Sequence, residues 1–194
     1  MPGKTFLFII LLAFAGVAMA QTKTDAVYDK YLIFNFKRLD DKAGEAIKIG
    51  EDILPNADKL PEKSRISFYN GMAKLYEDDE QSVEAIPLYE KVVAAQPNYY
   101  VAHRALGYLY LKPADDLYVK LQLNPGDTET ASLYKAAALK ALPHLEKAQA
   151  CDPSDETLAL IKKLYTNIHD DVGLQSLNNR LAAMAKKCLD ILTD

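Results

Sequence analysis

The residues of this chain best suited to chemistry are three histidines, His103, His144 and His169, and two cysteines, Cys151 and Cys188. A neutral imidazole ligates metals or moves protons near pH 7, and a thiolate serves as ligand or nucleophile. Either task needs partners that converge in space. No HExxH or other i,i+4 histidine pair is present, and the cysteines lack the CxxC spacing of redox or zinc sites. His144 follows Pro143 with no obvious acid or thiol partner, while His169, Asp170 and Asp171 fall at a turn between predicted helices. The acidic run Glu77-Asp78-Asp79-Glu80 lacks the Asp/Gly loop spacing of calcium sites, and helix capping with solvation accounts for it. Phosphate-cradling glycine loops and nucleophile elbows are absent. The expectation is no catalytic residue, no cofactor and no metal.

The ends of the chain bear on where such residues would work. Lys4 precedes an apolar run from Phe6 to Val17, and Ala18-Met19-Ala20 supplies the small-x-small pattern of a signal-peptide cleavage site. Residues 1–20 are therefore expected to be a signal peptide, with the mature chain starting at Gln21. The run is short for a membrane span and no basic stop-transfer cluster follows it. Removing Lys4 takes the formal charge from −4 to −5, which disfavours binding to nucleic acid. No Asn-x-Ser/Thr sequon occurs, which fits a bacterial periplasm better than a glycosylating eukaryotic route, and the protein is expected to be periplasmic or secreted. In an oxidising compartment Cys151 and Cys188 can form a disulfide, or they can remain two small buried thiols.

The elements that must position these residues are helical. Apolar side chains recur at three and four, as in Phe68, Met72, Leu75, Tyr76 and in Leu174, Leu177, Leu181, Met184, Cys188, and no stretch alternates with period two. The pattern predicts nine helices, near 23–38, 42–54, 64–77, 80–96, 99–111, 115–122, 128–151, 155–168 and 173–191. Ser64, Asp78 with Gln81, and Ser154 have the form of N-terminal caps.

Two segments are near copies. AIPLYEKVVAAQPN at 85–98 and ALPHLEKAQACDPS at 141–154 share six of fourteen positions: Ala85/Ala141, Pro87/Pro143, Glu90/Glu146, Lys91/Lys147, Ala94/Ala150 and Pro97/Pro153. Counting back, Tyr69, Met72, Ala73, Tyr76, Ala85, Tyr89, Val92 and Pro97 stand at the spacings of a 34-residue helix-turn-helix unit. Residues 66–99 resemble one complete tetratricopeptide repeat. A second unit, 100–153, opens with His103, Leu106, Gly107 and Tyr110 and closes with Ala141, Leu145, Ala148 and Pro153. It carries 22 extra residues, at about 112–133, between its two halves. A fading unit precedes these two, with Ala46 to Ile53 as its second helix, and another follows Pro153. The resemblance implies an all-α, right-handed superhelical stack of antiparallel helix pairs, about four units with degenerate ends. It also places His103 at a packed position.

The insertion has its own apolar side in Leu117, Tyr118, Val119, Leu121, Leu123, Leu133 and Tyr134. Lys112-Pro113 is expected to stop the first helix and Asp115-Asp116 to start a short one. That short helix either folds back on a lengthened second helix or forms a protruding contact arm.

The resemblance further implies a concave face lined by the first helix of each unit. It places Asn70, Lys74, Glu77, Arg104, Tyr108 and Leu111 there, able to hold a peptide through amide, charged and aromatic contacts. The functional expectation is a non-catalytic adaptor of the bacterial envelope binding a protein or peptide. The rivals are a structural protein self-associating through its insert or a terminal helix, and an enzyme of unrecognised type.

Overall fold

Side chains at three- and four-residue spacing wind the chain into eight α-helices in four antiparallel pairs, as seen in a computed structural model that describes residues 26–192. The expected signal peptide and its cleavage point lie outside the described residues. α1 occupies 26–39 and α2 Ala43–Ile53, extended by a 3₁₀ turn at Leu54–Lys59. α3 is Glu62–Asp78 and α4 Ser82–Ala95; α5 is Tyr100–Leu123 and α6 Thr128–Cys151. α7, Asp155–Asn167, and α8, Asp171–Met184, close the stack. The fold is an all-α solenoid.

The first three pairs close where small residues let backbones meet. Ala46, Ala85 and Ala141 hold one position of the second helices, and all three are fully buried. Gly107 of α5 faces Leu145 of α6 so closely that a Cβ would lie 2.6 Å from Leu145 Cδ2 and 3.2 Å from its backbone nitrogen. The turns repeat as well. Asp41, Glu80 and His169 end the first helices of their pairs at φ of 55°, 61° and 56°. The following amides of Lys42, Gln81 and Asp170 then donate to the carbonyls of Lys37, Tyr76 and Tyr165. That is one C-terminal capping motif used three times, and it aligns the units residue by residue.

Stacking of pair on pair uses a second repeated device. Glu51, Glu90 and Glu146 each lie five residues after the small Ala of a second helix. Each carboxylate accepts a tyrosine hydroxyl from the next pair's first helix: Tyr76 to Glu51 at 3.5 Å, Tyr110 to Glu90, and Tyr165 to Glu146 at 2.5 Å. Burial, and then the adjacent carboxylate, push the hydroxyls of Tyr76, Tyr110 and Tyr165 above the usual phenol range.

Several expectations are corrected. Lys112-Pro113 does not stop a helix, and 115–122 is not a separate element: α5 runs unbroken through Pro113. Pro113 sits on the exposed side, as do Pro87 in α4 and Pro143 in α6. Water can solvate the carbonyl each proline leaves free, while buried Leu111 and Ala114 hold the opposite side of α5. Ser64 is no cap; it lies buried inside α3, which starts at Glu62 behind Pro61. α4 starts without a side-chain cap, so Asp78 and Gln81 form no capping box. Ser154 does cap α7, accepting from the Thr157 amide, and Asp127 caps α6.

The last helix ends at Met184 rather than running to 191. A strap formed by residues 185–192 turns back over the preceding units for three reasons. Cys151 and Cys188 are disulfide-bonded with Cα atoms 5.5 Å apart. The buried Lys147 ammonium donates to the carbonyls of Met184 and Lys187, a favourable charge at a helix C-terminus. Leu189 pairs with the Asn98–Tyr100 backbone through bonds of 2.8 and 3.1 Å, an isolated parallel bridge.

Two measurements test this frame. Ala85→Leu overpacks the α3–α4 crossing, and chemical denaturation is expected to show a loss of about 1–3 kcal/mol; an unchanged midpoint sinks the crossing assignment. Cys188→Ser removes a crosslink closing a 37-residue separation, and a loss of about 3–4 kcal/mol is expected in oxidising buffer, vanishing when both proteins are reduced.

Candidate functional site: the first-helix face and the overhanging hairpin

Side chains on α3, α5 and α7, the first helices of successive pairs, meet along one face. Asn70 Nδ2 on α3 donates to the Tyr99 hydroxyl at the start of α5, at 3.4 Å. The Tyr108 hydroxyl on α5 shares a hydrogen bond with Thr157 on α7 at 3.1 Å. Arg104 pairs with Asp152 at 2.5 Å and stacks over the Tyr100 ring. Lys74 pairs with Asp78 one turn along α3, and Glu77 accepts the Tyr89 hydroxyl at 2.7 Å. Lys74 and Tyr108 stay open to solvent and Arg104 partly so. Leu111 is a correction: it is buried, because the lengthened α5 carries it down against α7. Of the expected six, Asn70 and Tyr108 bond to the start of the following pair and Arg104 to Asp152 at the α6–α7 junction, while Lys74 and Glu77 bond within their own pair. Tyr99 and Thr157, which complete the face, were missed because each is 29 or 49 residues away in sequence from the group it meets.

The insertion lengthens α5 and α6 together into a hairpin. On one side α5 faces α7 across a small cleft lined by Leu111, Ala114 and Tyr118 from α5 and Leu160, Lys163 and Leu164 from α7. Tyr118 and Tyr134 stack across the hairpin with ring centroids 5.8 Å apart, and the Lys163 ammonium lies over the Tyr118 ring at 4.9 Å. The alternative of a short helix folding back is replaced by direct extension of both helices, so Tyr134 is buried while Val119, Leu123 and Leu133 remain exposed. α7 ends at Asn167, and the hairpin continues past it. The overhang leaves an open notch of about 630 Å³. Tyr118, Leu121, Ala131, Tyr134 and Ile168 supply its apolar wall; Gln122, Lys135, Asn167 and His169 supply polar groups. Asn167 Nδ2 donates to the Tyr134 hydroxyl at 2.8 Å, fixing that ring.

The fold also brings together two histidines that the sequence keeps 41 residues apart. His103 and His144 approach with Nδ1 atoms 3.0 Å apart. Pro97 oxygen can only accept, so His103 Nε2, 3.2 Å away, carries the proton. His103 Nδ1 is then an acceptor, and His144 Nδ1–H donates to it. Burial first, and then His144, pull the His103 imidazole down to about 4; Lys147 acts in the same direction and the bond to Pro97 against it. Burial also lowers His144, opposed by Glu90 and aided by Lys140, while the Tyr110 ring packs against it. Among the described residues no group of three His, Cys, Asp or Glu side chains is placed to hold a metal ion.

One buried polar cluster does exist. Arg180 grips Glu146 with two bonds, Nε to Oε2 at 2.8 Å and Nη2 to Oε1 at 2.6 Å. It also donates to the Tyr165 hydroxyl, Gly173 oxygen and Ser176. These donors and acceptors satisfy one another, and none of Glu146, Tyr165 or Arg180 lines the notch. Among the described residues, no helix is long and apolar enough to cross a membrane.

No family model matches the sequence, and no curated protein matches it. Two crystal structures of nearly identical TPR-like repeats from a proposed Podosopora anserina kinesin light chain match this chain. The first is 19% identical over 84% of this chain and 97% of its own. The second, a variant of it, is 18% identical over 84% and 96%, and the TM-score is 0.35 for both. At that score the likeness carries no argument. What identifies the units here is their internal geometry.

The histidine pair makes a pH prediction. His103 is held neutral, so its contribution to stability is intact above about pH 6.5 and is lost as pH falls toward about 4. Thermal melts between those values should reveal a loss of about 1–2 kcal/mol that His103→Gln, which keeps one donor and one acceptor, largely removes. Equal pH dependence in both proteins excludes the pair as its origin.

Proposed function

We propose that this protein is an exported, non-catalytic adaptor of the bacterial envelope. It binds a protein or peptide partner along the first-helix face and into the notch beneath the overhanging hairpin. The observation that carries the reading is the notch itself: an open cavity of about 630 Å³ with two aromatic rings, an apolar wall and unlike polar groups at its rim. A partner side chain of apolar or aromatic type fits against Tyr118 and Leu121. Lys135, Gln122 and Asn167 offer hydrogen bonds to its backbone.

Exposed Tyr108 and Lys74, with partly exposed Arg104, extend the same contact along α5 and α3. The bonds of Tyr108 to Thr157, Arg104 to Asp152 and Asn70 to Tyr99 hold the face in place before a partner arrives, which lowers the ordering cost of binding. The polar cluster around Glu146 favours this reading over catalysis, because its groups are spent on each other and lie away from the notch. Export rests on the signal-peptide pattern of residues 1–20 and suits the disulfide between Cys151 and Cys188.

A photo-crosslinking residue at Gln122, introduced in the native host, is expected to trap a discrete partner. The same residue at Val83, exposed on α4 away from the notch, is the control. Tyr118→Ala together with Arg104→Glu is expected to weaken capture by about tenfold or more. Equal crosslinking from both sites, or capture that survives the double variant, refutes the notch as the binding surface.

A further inference from the structure

The two ends of the solenoid are not alike. On α1, Tyr28, Leu32, Phe36 and Leu39 stand at i, i+4, i+8 and i+11 and form one apolar stripe flanked by Ile33. Leu32 and Ile33 are 50% exposed, Phe36 63% and Leu39 77%. Scattered apolar residues on a surface need no account, but a continuous stripe does.

The repeated turn fixes what this stripe corresponds to. Because Lys37, Tyr76 and Tyr165 accept the same capping hydrogen bond, Ile33 aligns with Met72 and Ile161, and Phe36 with Leu75 and Leu164. The paired positions in α5 are Leu106 and Leu109. In α3, α5 and α7 every one of these residues is buried. On α1 the same two positions are open. α1 therefore displays the surface on which each later pair stacks against its predecessor.

At the other end the outward side of α8 carries exposed Asp171, Gln175, Asn178 and Asn179, the polar face of a terminal repeat. Val172 is the one strongly exposed large apolar side chain on α8, so head-to-tail stacking leaves most of the α1 stripe unsatisfied. A second α1 does offer one. Lys30 and Lys37 pair with Asp52 and Glu45 of α2, which draws their charges toward α2 and off the stripe. Five large side chains at these exposures present roughly 500 Å² per copy, so a closed pair that covers them reaches roughly 1,000 Å², the lower bound for a specific interface.

We propose that the α1 face is a self-association surface, on which a second copy of this chain docks with α1 against α1 in a closed twofold dimer. An isologous contact of this kind stops at two copies. The proposal rests on the α1 stripe and not on the notch.

Sedimentation equilibrium on the protein purified from its native compartment, with whatever N-terminus it carries there, tests the proposal across a concentration series. The expected result is a monomer–dimer equilibrium that Phe36→Glu shifts at least about tenfold toward monomer with unchanged helical circular dichroism. If that variant fails to fold, Leu39→Glu, at the most exposed position of the stripe, takes its place. Phe36→Cys is further expected to give a covalent dimer through position 36 under mild oxidation. A protein that stays monomeric throughout, one that forms open-ended polymers, or a dimer indifferent to both glutamates overturns the proposal.

Discussion

Everything in this molecule hangs on the tyrosine-to-carboxylate hydrogen bond that joins each helix pair to the next. A glutamate on the buried side of a helix is costly unless its oxygens are paired. Glu146, buried, meets that demand with a hydroxyl from the following unit, while Glu51 and Glu90 make the same bond from exposed positions at the edge of their junctions. Hydrophobic burial drives the stack but does not choose among nearby registers. The Tyr–Glu contact does choose, because a shift of one residue takes the hydroxyl away from the carboxylate. The chemistry also grows along the chain. Glu51 has a long bond from Tyr76, Glu90 adds Lys140 at 3.6 Å, and Glu146 is gripped by Arg180 as well. The most elaborate version lies deepest, where an unpaired carboxylate would cost most.

That frame explains why a long insertion is tolerated. A repeat whose stacking contacts lie at its base can lengthen both helices at the other end without disturbing them. Tyr110 and Glu90 sit below the insertion, and so does the Gly107–Leu145 contact. Beyond them α5 and α6 need only each other and α7. The extra length creates the notch because α7 is not extended to match. The turn of this unit is also the one inter-helix turn within a pair that lacks the left-handed residue found at Asp41, Glu80 and His169. Asp127 caps the start of α6 there instead.

What the sequence discloses and what it conceals divide along a physical line. Helix pairing, the small-residue crossings and the repeat boundaries are legible because they depend on residues a few turns apart, such as Met72, Ala73 and Ala85. Proline misleads at 113, where local chemistry argues for a stop and the packing of Leu111 and Ala114 overrides it. The meeting of His103 with His144 and the grip of Arg180 on Glu146 span 41 and 34 residues, and no spacing rule connects such positions. Burial of Leu111 follows from the length of α5, which the Pro113 expectation shortens. The strap at 185–192 escapes periodicity altogether, since it is fixed by a disulfide, an ammonium and two backbone bonds.

The strap and α1 show opposite treatments of a solenoid's ends. Terminal repeats lack one neighbour and must replace its contacts or present a polar face. At the C-terminal end the chain does both: α8 turns polar residues outward, and the strap returns to bind α6 and the α4–α5 junction through Cys188 and Leu189. The N-terminal end has neither device among the described residues. Ile33 and Phe36 occupy positions that bury methionine, leucine or isoleucine in the later pairs, and they keep that apolar character where it meets solvent. A helix whose only task was to cap the stack would gain from polar residues at those two sites. Retention of large apolar side chains at stacking positions is the chemistry of a surface built to be covered.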